Sequence, residues 1–327
     1  MAGASSFPNG FSSGITIRGL PLNQVHPGEV FWLNNSSVLV KGGVGGQDST
    51  SHGTYKRPFS TLEYAINACT ASRGDIIMVM PGHAESVTSA TTILADTAGV
   101  AIVGLGTGTA RPTFTFTTAN TATIPVSAAN ISFKNILFVG NFLSIASAFT
   151  VAAAPWFTIE DCEFKDTSAT LGFLTPVTTT VTVNADHLNF NNNRVYSIAT
   201  TTPGPAVVVK GTMTGLTVND NRIIHTVASN NISALVEHGA LVMTDLEVLR
   251  NRVYSINTDT ATGAILVKTT ATTGSGIIAH NRIRALDEAA AIVVTVAAVQ
   301  YGMFDNLYTG ETTLASGFVL PAIAADA

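Results

Sequence analysis

Charged residues are scarce in this sequence. Only 11% of the 327 residues are charged, against roughly a quarter in an ordinary globular domain, while 46% are apolar. Disordered chains are typically charged and poor in apolar residues, so the composition predicts a folded protein. The 16 basic residues are outnumbered by 21 acidic ones, and the resulting net charge of −5 argues against binding nucleic acid through overall charge. We therefore expect a β-rich protein with no nucleic-acid partner.

Long apolar runs are absent, and cysteines are few. No segment reaches the roughly 18 apolar residues of a membrane span, so no membrane partner is expected. Residues 1–14 have neither the basic start nor the apolar run of a secretory signal, so we expect no secretion. The two cysteines, Cys69 and Cys162, lie in unlike contexts, and we expect both to be reduced and buried.

The second half of the chain repeats itself. Four segments share the pattern apolar, any residue, apolar, two residues of any kind, Asn, Arg, apolar. The asparagines of these segments lie 28, 30 and 30 residues apart. A weaker copy, MFDNLY, follows, and ISFKNILF and FTIEDCEF fit the same frame upstream, so about seven units run from residue 131 to residue 308. The asparagines are Asn193, Asn221, Asn251, Asn281 and, in the weaker copy, Asn306.

Each full unit contains three short runs with alternating apolar residues. In one unit they cover residues 206–210, 216–219 and 222–226, with Gly, Asn, Asp, Ser and Thr between them. A leucine-rich repeat has one strand per unit, and a propeller blade is longer and antiparallel. Three strands per unit predict an all-β fold, a right-handed single-stranded parallel β-helix whose coils stack about 4.8 Å apart.

The repeated Asn-Arg pair has a structural interpretation. We expect each asparagine to occupy a tight turn near the left-handed conformation and its amide to hydrogen-bond to the next coil, which makes a structural ladder. The arginines that follow are expected to project outward and to stack on one another. Four such cations could bind an anion, but the favoured interpretation is that they pair with surface acids. They are Arg194, Arg222, Arg252 and Arg282.

The N-terminal third predicts a helix followed by buried strands. Residues 56–69 carry apolar residues at helical spacing, and Ser60 and Glu63 are spaced as a capping box. Residues 75–85 predict a strand stopped by Pro-Gly, and residues 100–103 predict a further strand. The Gly-rich residues 42–53 predict a mobile loop.

These segments resemble a known group of proteins. PFSTLEYAINAC, GDIIMVMPGHAE and VAIVGLG resemble the opening of pectin-lyase-like β-helix proteins, in which a short helix plugs the open end of the coils. From FPNGFSSGITIRGLPL through VFWLNNSSVLVKGG to MPGHAE, roughly residues 7–110, the amino-acid sequence is similar to that of virion proteins of tailed phages. The resemblance implies a structural virion protein that commonly forms a homotrimer.

The chain divides into four predicted segments. They are an extended docking arm at residues 1–30, a first strand, Gly-rich loop and capping helix at 31–74, the β-helix coils at 75–310, and a tail or cap at 311–327. The apolar residues of the arm are spaced too irregularly for a helix and are too many for a tail that contacts only solvent. We therefore expect the arm to dock on another subunit or on the capsid shell. The alternative is a strand packed on its own domain. The candidate docking residues are Phe7, Phe11, Ile15, Ile17, Arg18 and Leu20.

Residues suited to catalysis do not form a recognisable cluster. Glu160 and Asp161 are expected on opposite faces of one strand. Asp220 and Glu247, one coil apart, could reach the spacing of glycosidase carboxylates. His83 is expected to be a locally bonded turn side chain, and the seven histidines show no paired metal-ligand spacing. The glycines of residues 104–108 precede no predicted helix. We therefore predict no catalytic residues, no enzymatic activity, no metal and no cofactor.

Three functions are weighed on these grounds. The favoured one is a trimeric decoration, or cement, protein on the outer surface of a phage head, made in the host cytoplasm, with the major capsid protein shell as its partner. The alternative is a tail spike or fibre that binds, or also cleaves, host surface polysaccharide. A free polysaccharide lyase is disfavoured by the missing secretory signal and the missing acid cluster.

Overall fold

Three β-sheets of mainly parallel strands make up most of the part of the chain that the structure describes. The computed structural model of the protein describes residues 16–17, 20–21, 28–35, 42–181, 185–198, 204–226, 235–239, 241–255, 264–269, 273–285, 291–294, 299–309 and 317–318. Successive coils add one strand to each sheet, and about six turns make a parallel β-solenoid. The predicted right-handed parallel β-helix is therefore confirmed. No helix in these ranges is long and apolar enough to cross a membrane.

Sheet 1 is the largest of the three and has 11 strands. All its neighbouring strands are parallel. Its strands are Val30–Leu33, Ile76–Val79, Ala101–Gly104, Ser132–Lys134, Thr158–Glu160, Asn189–Asn191, Met213–Thr214, Thr217–Asn219, Met243–Leu249, Gly274–Ala279 and Val299–Phe304.

Sheet 2 follows sheet 1 in each coil across a tight corner and has 10 strands. Only its last strand is antiparallel to its neighbour. Its strands are Ala84–Val87, Thr113–Phe116, Leu137–Gly140, Glu163–Asp166, Arg194–Ser197, Arg222–His225, Arg252–Ser255, Arg282–Ala285, Leu307–Thr309 and Gly317–Phe318.

Sheet 3 completes the coil with seven parallel strands. The strands of the unit analysed above, Val207–Val209, Thr217–Asn219 and Arg222–His225, lie within one residue of the predicted runs. Outside the sheets, Thr16–Ile17 pairs antiparallel with Leu20–Pro21, and Gly108–Ala110 forms a 3₁₀ turn. The strands of sheet 3 are Ile124–Val126, Phe149–Val151, Val177–Thr179, Val207–Val209, Val236–His238, Ala264–Thr269 and Ala291–Val294.

Phenylalanines fill the interior of the upstream coils. Phe138 stacks on Phe164 one coil away, with ring centroids 5.1 Å apart, and Phe133 and Phe149 meet edge to face at 5.0 Å. Each such aromatic pair contributes about 0.5–1.5 kcal/mol to stability beyond the effect of burying its apolar area. The scarce aromatic residues are therefore concentrated here. The fully buried rings are Phe114, Phe116, Phe133, Phe138, Phe149, Phe157, Phe164 and Phe190.

The N-terminal helix is shorter than predicted and is capped differently. It spans Leu62–Ala68, and the Thr61 hydroxyl accepts from the backbone N–H of Tyr64 at 3.3 Å, so the predicted capping box from Ser60 does not form. The reason is Asp48, whose carboxylate accepts from the Ser60 and Thr61 backbone N–H groups at 2.8 and 3.1 Å. Leu62, Ala65 and Ile66 join the core beside strand Val30–Leu33, as expected for a helix that covers the first coil.

The Gly-rich loop before this helix is hydrogen-bonded along its length, which corrects the prediction of a mobile loop. The backbone N–H groups of Val44 and Gln47 donate to the carbonyls of Lys56 and Pro58 at 2.9 and 3.1 Å. A side chain at Gly46 would collide with the backbone carbonyl of Asn34, so glycine is required there.

The asparagines form the predicted ladder at the corner between sheets 1 and 2. The Asn221 backbone N–H and Nδ2 donate to Asn251 Oδ1 at 2.9 and 3.0 Å, and the same pattern links Asn251 to Asn281 and Asn281 to Asn306. Each Nδ2 also donates to a sheet 1 carbonyl, for example Asn251 to Val218 at 2.7 Å. The asparagine ladder, Asn193, Asn221, Asn251, Asn281 and Asn306, is buried.

The left-handed conformation belongs to the residue before each ladder asparagine and not, as predicted, to the asparagine itself. That residue makes the sharp turn, and the asparagine that follows is thereby pointed into the interior. Most of these residues are Asn or Asp, which tolerate this conformation. We call them the corner column: Asn135, Asp161, Asn192, Asp220, Arg250, His280 and Asp305, with φ between 50° and 59°.

The cysteines agree only in part with expectation. Both are free, but Cys69 is only partly buried. Cys162 occupies a ladder position and its backbone N–H donates to Asn193 Oδ1 at 2.9 Å. Burial raises the pKa of the Cys162 thiol to about 12, so it stays protonated and unreactive.

Replacing one ladder asparagine tests how far the coils depend on the row. In Asn251→Ala, the Asn221 backbone N–H loses its buried acceptor, and we expect the free energy of unfolding to fall by roughly 2–4 kcal/mol. Urea denaturation measures it. The control is Asn67→Ala on the exposed side of the helix, for which a change below about 0.5 kcal/mol is expected. Equal losses in the two variants would contradict the ladder's role.

Candidate functional site

An open groove follows the corner between sheets 1 and 2. Its volume is about 1280 Å³, and its lining extends from Val103 and Gly104 in an upstream coil to Leu307 near the end of the described coils. Most lining residues carry Asn, Asp, Arg or Lys side chains, so the groove is polar. It runs parallel to the long axis of the solenoid and crosses the strands rather than following one of them.

Four arginines stand in register along one side of this groove. Arg194, Arg222, Arg252 and Arg282 begin consecutive strands of sheet 2, and each is the direct neighbour of the next. All four are exposed. We call them the arginine row. Adjacent strands lie about 4.8 Å apart, and at that distance two unit charges in water repel each other by about 1 kcal/mol.

The predicted pairing of this row with surface acids holds for one member. Arg194 lies 3.8 Å from Glu163, which is shared with Arg111 at 3.3 Å. In the part of the chain that the structure describes, Arg222, Arg252 and Arg282 have no ion pair. Their neighbours in the adjacent coils are arginines as well, except that Arg282 has Leu307 on its downstream side. Three cations of the row are therefore not neutralised by the described residues.

Asp220 and Asp305, the acids near the arginine row, pair instead with other members of the corner column. Asp220 accepts two hydrogen bonds from Arg250, at 2.8 and 2.7 Å, and Asp305 lies 2.6 Å from His280 Nδ1. The hydrogen bonds to Asp220 raise the pKa of Arg250. Since these pairs lie at the surface, each adds at most about 1 kcal/mol to stability. Their consequence for the groove is that its downstream acids are already paired.

A second row lies beside the arginines on the outer face of sheet 2. Tyr196, Ile224, Tyr254 and Arg284 are direct neighbours in consecutive strands, two residues after the arginines. The Arg284 guanidinium sits 5.5 Å from the centre of the Tyr254 ring. We call Tyr196, Ile224 and Tyr254 the apolar row. The sequence reasoning missed it, although the repeated RVYSI segments place Tyr two residues after Arg, on the same face of a strand.

The acidic residues considered for catalysis are engaged with other side chains. Asp220 pairs with Arg250 at the corner, while Glu247 accepts from Asn219 Nδ2 on sheet 1. Glu160 and Asp161, expected on opposite faces, both lie close to Lys134 Nζ, at 3.1 and 3.2 Å. The strand ends at Glu160, and the left-handed turn at Asp161 brings both carboxylates to the same side. Within the described ranges, no His, Cys, Asp and Glu side chains form a group suited to a metal ion.

His83 is buried, and it links distant segments in addition to making the local contact that the sequence predicted. Its Nδ1 accepts from the Asn35 backbone N–H at 3.1 Å, and its Nε2 lies 3.1 Å from Glu85. Glu85 in turn accepts from the backbone N–H of Leu62 at 3.0 Å, at the start of the helix. The arrangement ties the first strand and the helix to sheet 2.

A polar row inside sheet 2 contains Ser, His and Asp but not a catalytic triad. The Ser197 hydroxyl donates to Asp166 at 2.6 Å, and His225 neighbours Ser197 in the next coil. Ser197 therefore bonds to the acid and not to a base, and all three residues are buried. His225 Nδ1 is buried and has no hydrogen-bond partner among the described residues. Burial lowers the pKa of His225 to about 4.

The predicted docking residues fall largely outside the described ranges. Phe7, Phe11, Ile15 and Arg18 are among those outside. Ile17 and Leu20 lie in the short strands Thr16–Ile17 and Leu20–Pro21, where they are partners of each other. The docking role of the arm stays a prediction.

Comparisons with known proteins add a single likeness in fold. No family model matches the chain, and no curated protein matches it. The structure is similar to that of a rhamnogalacturonan lyase, with a TM-score of 0.41 and 10% sequence identity over 85% of this chain and 87% of that chain. The prediction of no enzymatic activity is contradicted by this finding and is not kept. At this level of similarity, the match assigns no activity to the chain.

Buried His225 predicts a pH dependence of stability. Its pKa is about 4 in the folded protein, against 6.5 for an unperturbed histidine, so the unfolded chain binds the proton first. Stability should be constant above about pH 6.5 and fall by up to about 3 kcal/mol between pH 6.5 and 4, at 1.36 kcal/mol per pKa unit. Chemical denaturation across this range should show a flatter dependence for His225→Gln. His280→Asn, at the exposed corner, is the control, and its stability should fall between pH 6.5 and 4 as much as that of the unmodified protein.

Proposed function

We propose that this chain is a virion protein of a tailed phage that binds a host surface glycan in the corner groove. The sequence resemblance over roughly residues 7–110 supports the phage origin. The arm at residues 1–30 would attach the protein to the particle, and a homotrimer would present three β-helices outward. The β-helix carries the binding surface.

The observation that carries the glycan role is the shape and lining of the groove. It is open along its length, crosses consecutive coils and is lined mainly by side chains that donate or accept hydrogen bonds. A linear polymer rich in hydroxyl groups fits such a surface, because each coil repeats the same set of polar groups at the strand spacing of about 4.8 Å. The arginine row supplies several donors per coil, since each guanidinium carries five N–H groups.

Head decoration is the second candidate, favoured by the apolar arm in the sequence. The predicted arm contains Phe7 and Phe11, whose apolar side chains would suit docking on a capsid shell. Labelling the protein on intact particles separates the two roles. Regular labelling over the head at high copy number supports decoration, whereas labelling at the tail supports a spike. Deleting residues 1–27, which keeps strand Val30–Leu33 and the hydrogen bonds of Glu29, should abolish attachment in either case while leaving a folded oligomer.

Blocking the groove tests the glycan role. Arg222→Cys places a reactive thiol in the groove, where a bulky maleimide-coupled polymer can be attached. The native thiols will react little, because burial raises the pKa of both Cys69 and Cys162 to about 12. We expect the labelled variant to lose binding to bacterial cells and to purified capsular and lipopolysaccharide glycans, as measured by biolayer interferometry.

The matched control is Lys210→Cys with the same label, at an exposed residue after strand Val207–Val209 of sheet 3. It should bind as the unmodified protein does. Equal binding by both labelled variants would show that the groove is not the site. No binding of the unmodified protein to cells or to any of the glycans would contradict the proposed function itself.

A further inference from the structure

We infer that the occupant of the groove is an acidic glycan that lies across the strands, with its anionic groups on the arginine row and its sugar rings over the apolar row. This inference rests on the proposed function and adds the class of ligand, its direction and the residues that select it.

The charge of the groove favours an anionic ligand. Arg222, Arg252 and Arg282 have no ion pair within the described ranges, and the nearby Asp220 and Asp305 are held by Arg250 and His280. At the upstream end, Glu163 lies between Arg111 and Arg194. The three downstream coils therefore hold the unneutralised cations. Positive charges held side by side on a rigid sheet attract a negatively charged polymer.

The register of the row sets the direction of the ligand. The arginines are direct partners in adjacent parallel strands, so their backbones are separated by one strand spacing, about 4.8 Å. A ligand that lies along one strand meets one arginine of the row. A ligand that crosses the strands meets three or four, one for each coil, and a polymer with regularly repeated anionic groups can engage them together.

The apolar row favours a glycan over a simple polyanion. Tyr196, Ile224 and Tyr254 are half-buried and lie two residues from the arginines, about 6.6 Å along each strand. A second groove of about 610 Å³ includes both Tyr254 and the downstream arginines. Sugar rings have one apolar face, which packs on tyrosine, while an acidic substituent at the ring edge reaches the neighbouring guanidinium. Arg284, above Tyr254, adds a further cation at the downstream end.

The experiment compares matched polymers and matched variants. The probes are alginate, the same alginate with its carboxylates methyl-esterified, and single-stranded oligothymidylate. The groove variant is Arg222→Gln, Arg252→Gln and Arg282→Gln combined. Its control combines Lys56→Gln, Arg57→Gln and Lys210→Gln, three exposed cations outside the groove. Dissociation constants are measured by isothermal titration calorimetry at several salt concentrations, and thermal unfolding verifies that each variant is folded.

We expect the intact protein to bind alginate and to bind the ester at least about tenfold more weakly. The groove variant should lose about 100-fold in affinity for alginate, and its salt slope should fall by about three, one for each arginine. The control variant should keep the affinity for alginate and the salt slope of the intact protein. Tyr196→Ala with Tyr254→Ala should weaken binding without changing the salt slope, because it removes ring contacts and no charge.

Three results would overturn the inference and leave the proposed function standing. Equal affinity for alginate and its ester would show that the groove does not select anionic groups. Tighter binding of oligothymidylate, lost in the groove variant, would assign the arginine row to nucleic acid. A groove variant that binds alginate as the control does would place the acidic ligand elsewhere. Failure of the proposed function is seen separately, because the blocked Arg222→Cys protein would then still bind cells.

Discussion

The structure depends on satisfying the backbone at one corner of each coil. Between sheets 1 and 2 the chain turns within a single left-handed residue, and the next backbone N–H is buried with no strand partner of its own. The asparagine of the following coil supplies the acceptor, as Asn251 does for Asn221 at 2.9 Å. Because each buried amide relies on the coil after it, the coils are stabilised cooperatively, as in other solenoids. A missing member leaves a buried donor unpaired, which is costly.

This constraint also explains where the surface chemistry lies. In the coils that carry a ladder asparagine, the corner geometry fixes three consecutive positions: an exposed left-handed residue, the buried asparagine and an exposed first residue of the next strand. Any side chain repeated at the third position is aligned along the axis by the ladder itself. The arginine row is therefore held in register by hydrogen bonds in the interior, and its mutual repulsion, about 1 kcal/mol per adjacent pair in water, is tolerated because the backbone cannot move apart.

The period and the strands could be predicted from the sequence, whereas contacts between distant segments could not. Alternating apolar residues and the repeated asparagines located the strands of one unit to within one residue. The helix cap was misassigned because Asp48, which accepts from the Ser60 and Thr61 backbone N–H groups, lies in a loop 13 residues before Thr61. The left-handed residue was misplaced by one position, since a repeat marks a turn without showing which residue makes it. The pairing of the arginines was misjudged because it depends on acids that Arg250 and His280 engage first.

The low overall charge takes on a different meaning in the folded protein. A net charge of −5 argued against binding nucleic acid through overall charge, yet the β-helix gathers four of its 16 basic residues into one row. Composition averages over the whole surface, while a ligand responds to the local field, and a field from aligned charges falls off within about 10 Å at 0.1 M salt. In a repeat protein, one basic position per unit is enough to make a continuous cationic surface. The charge of a solenoid therefore has to be assessed position by position within the repeat.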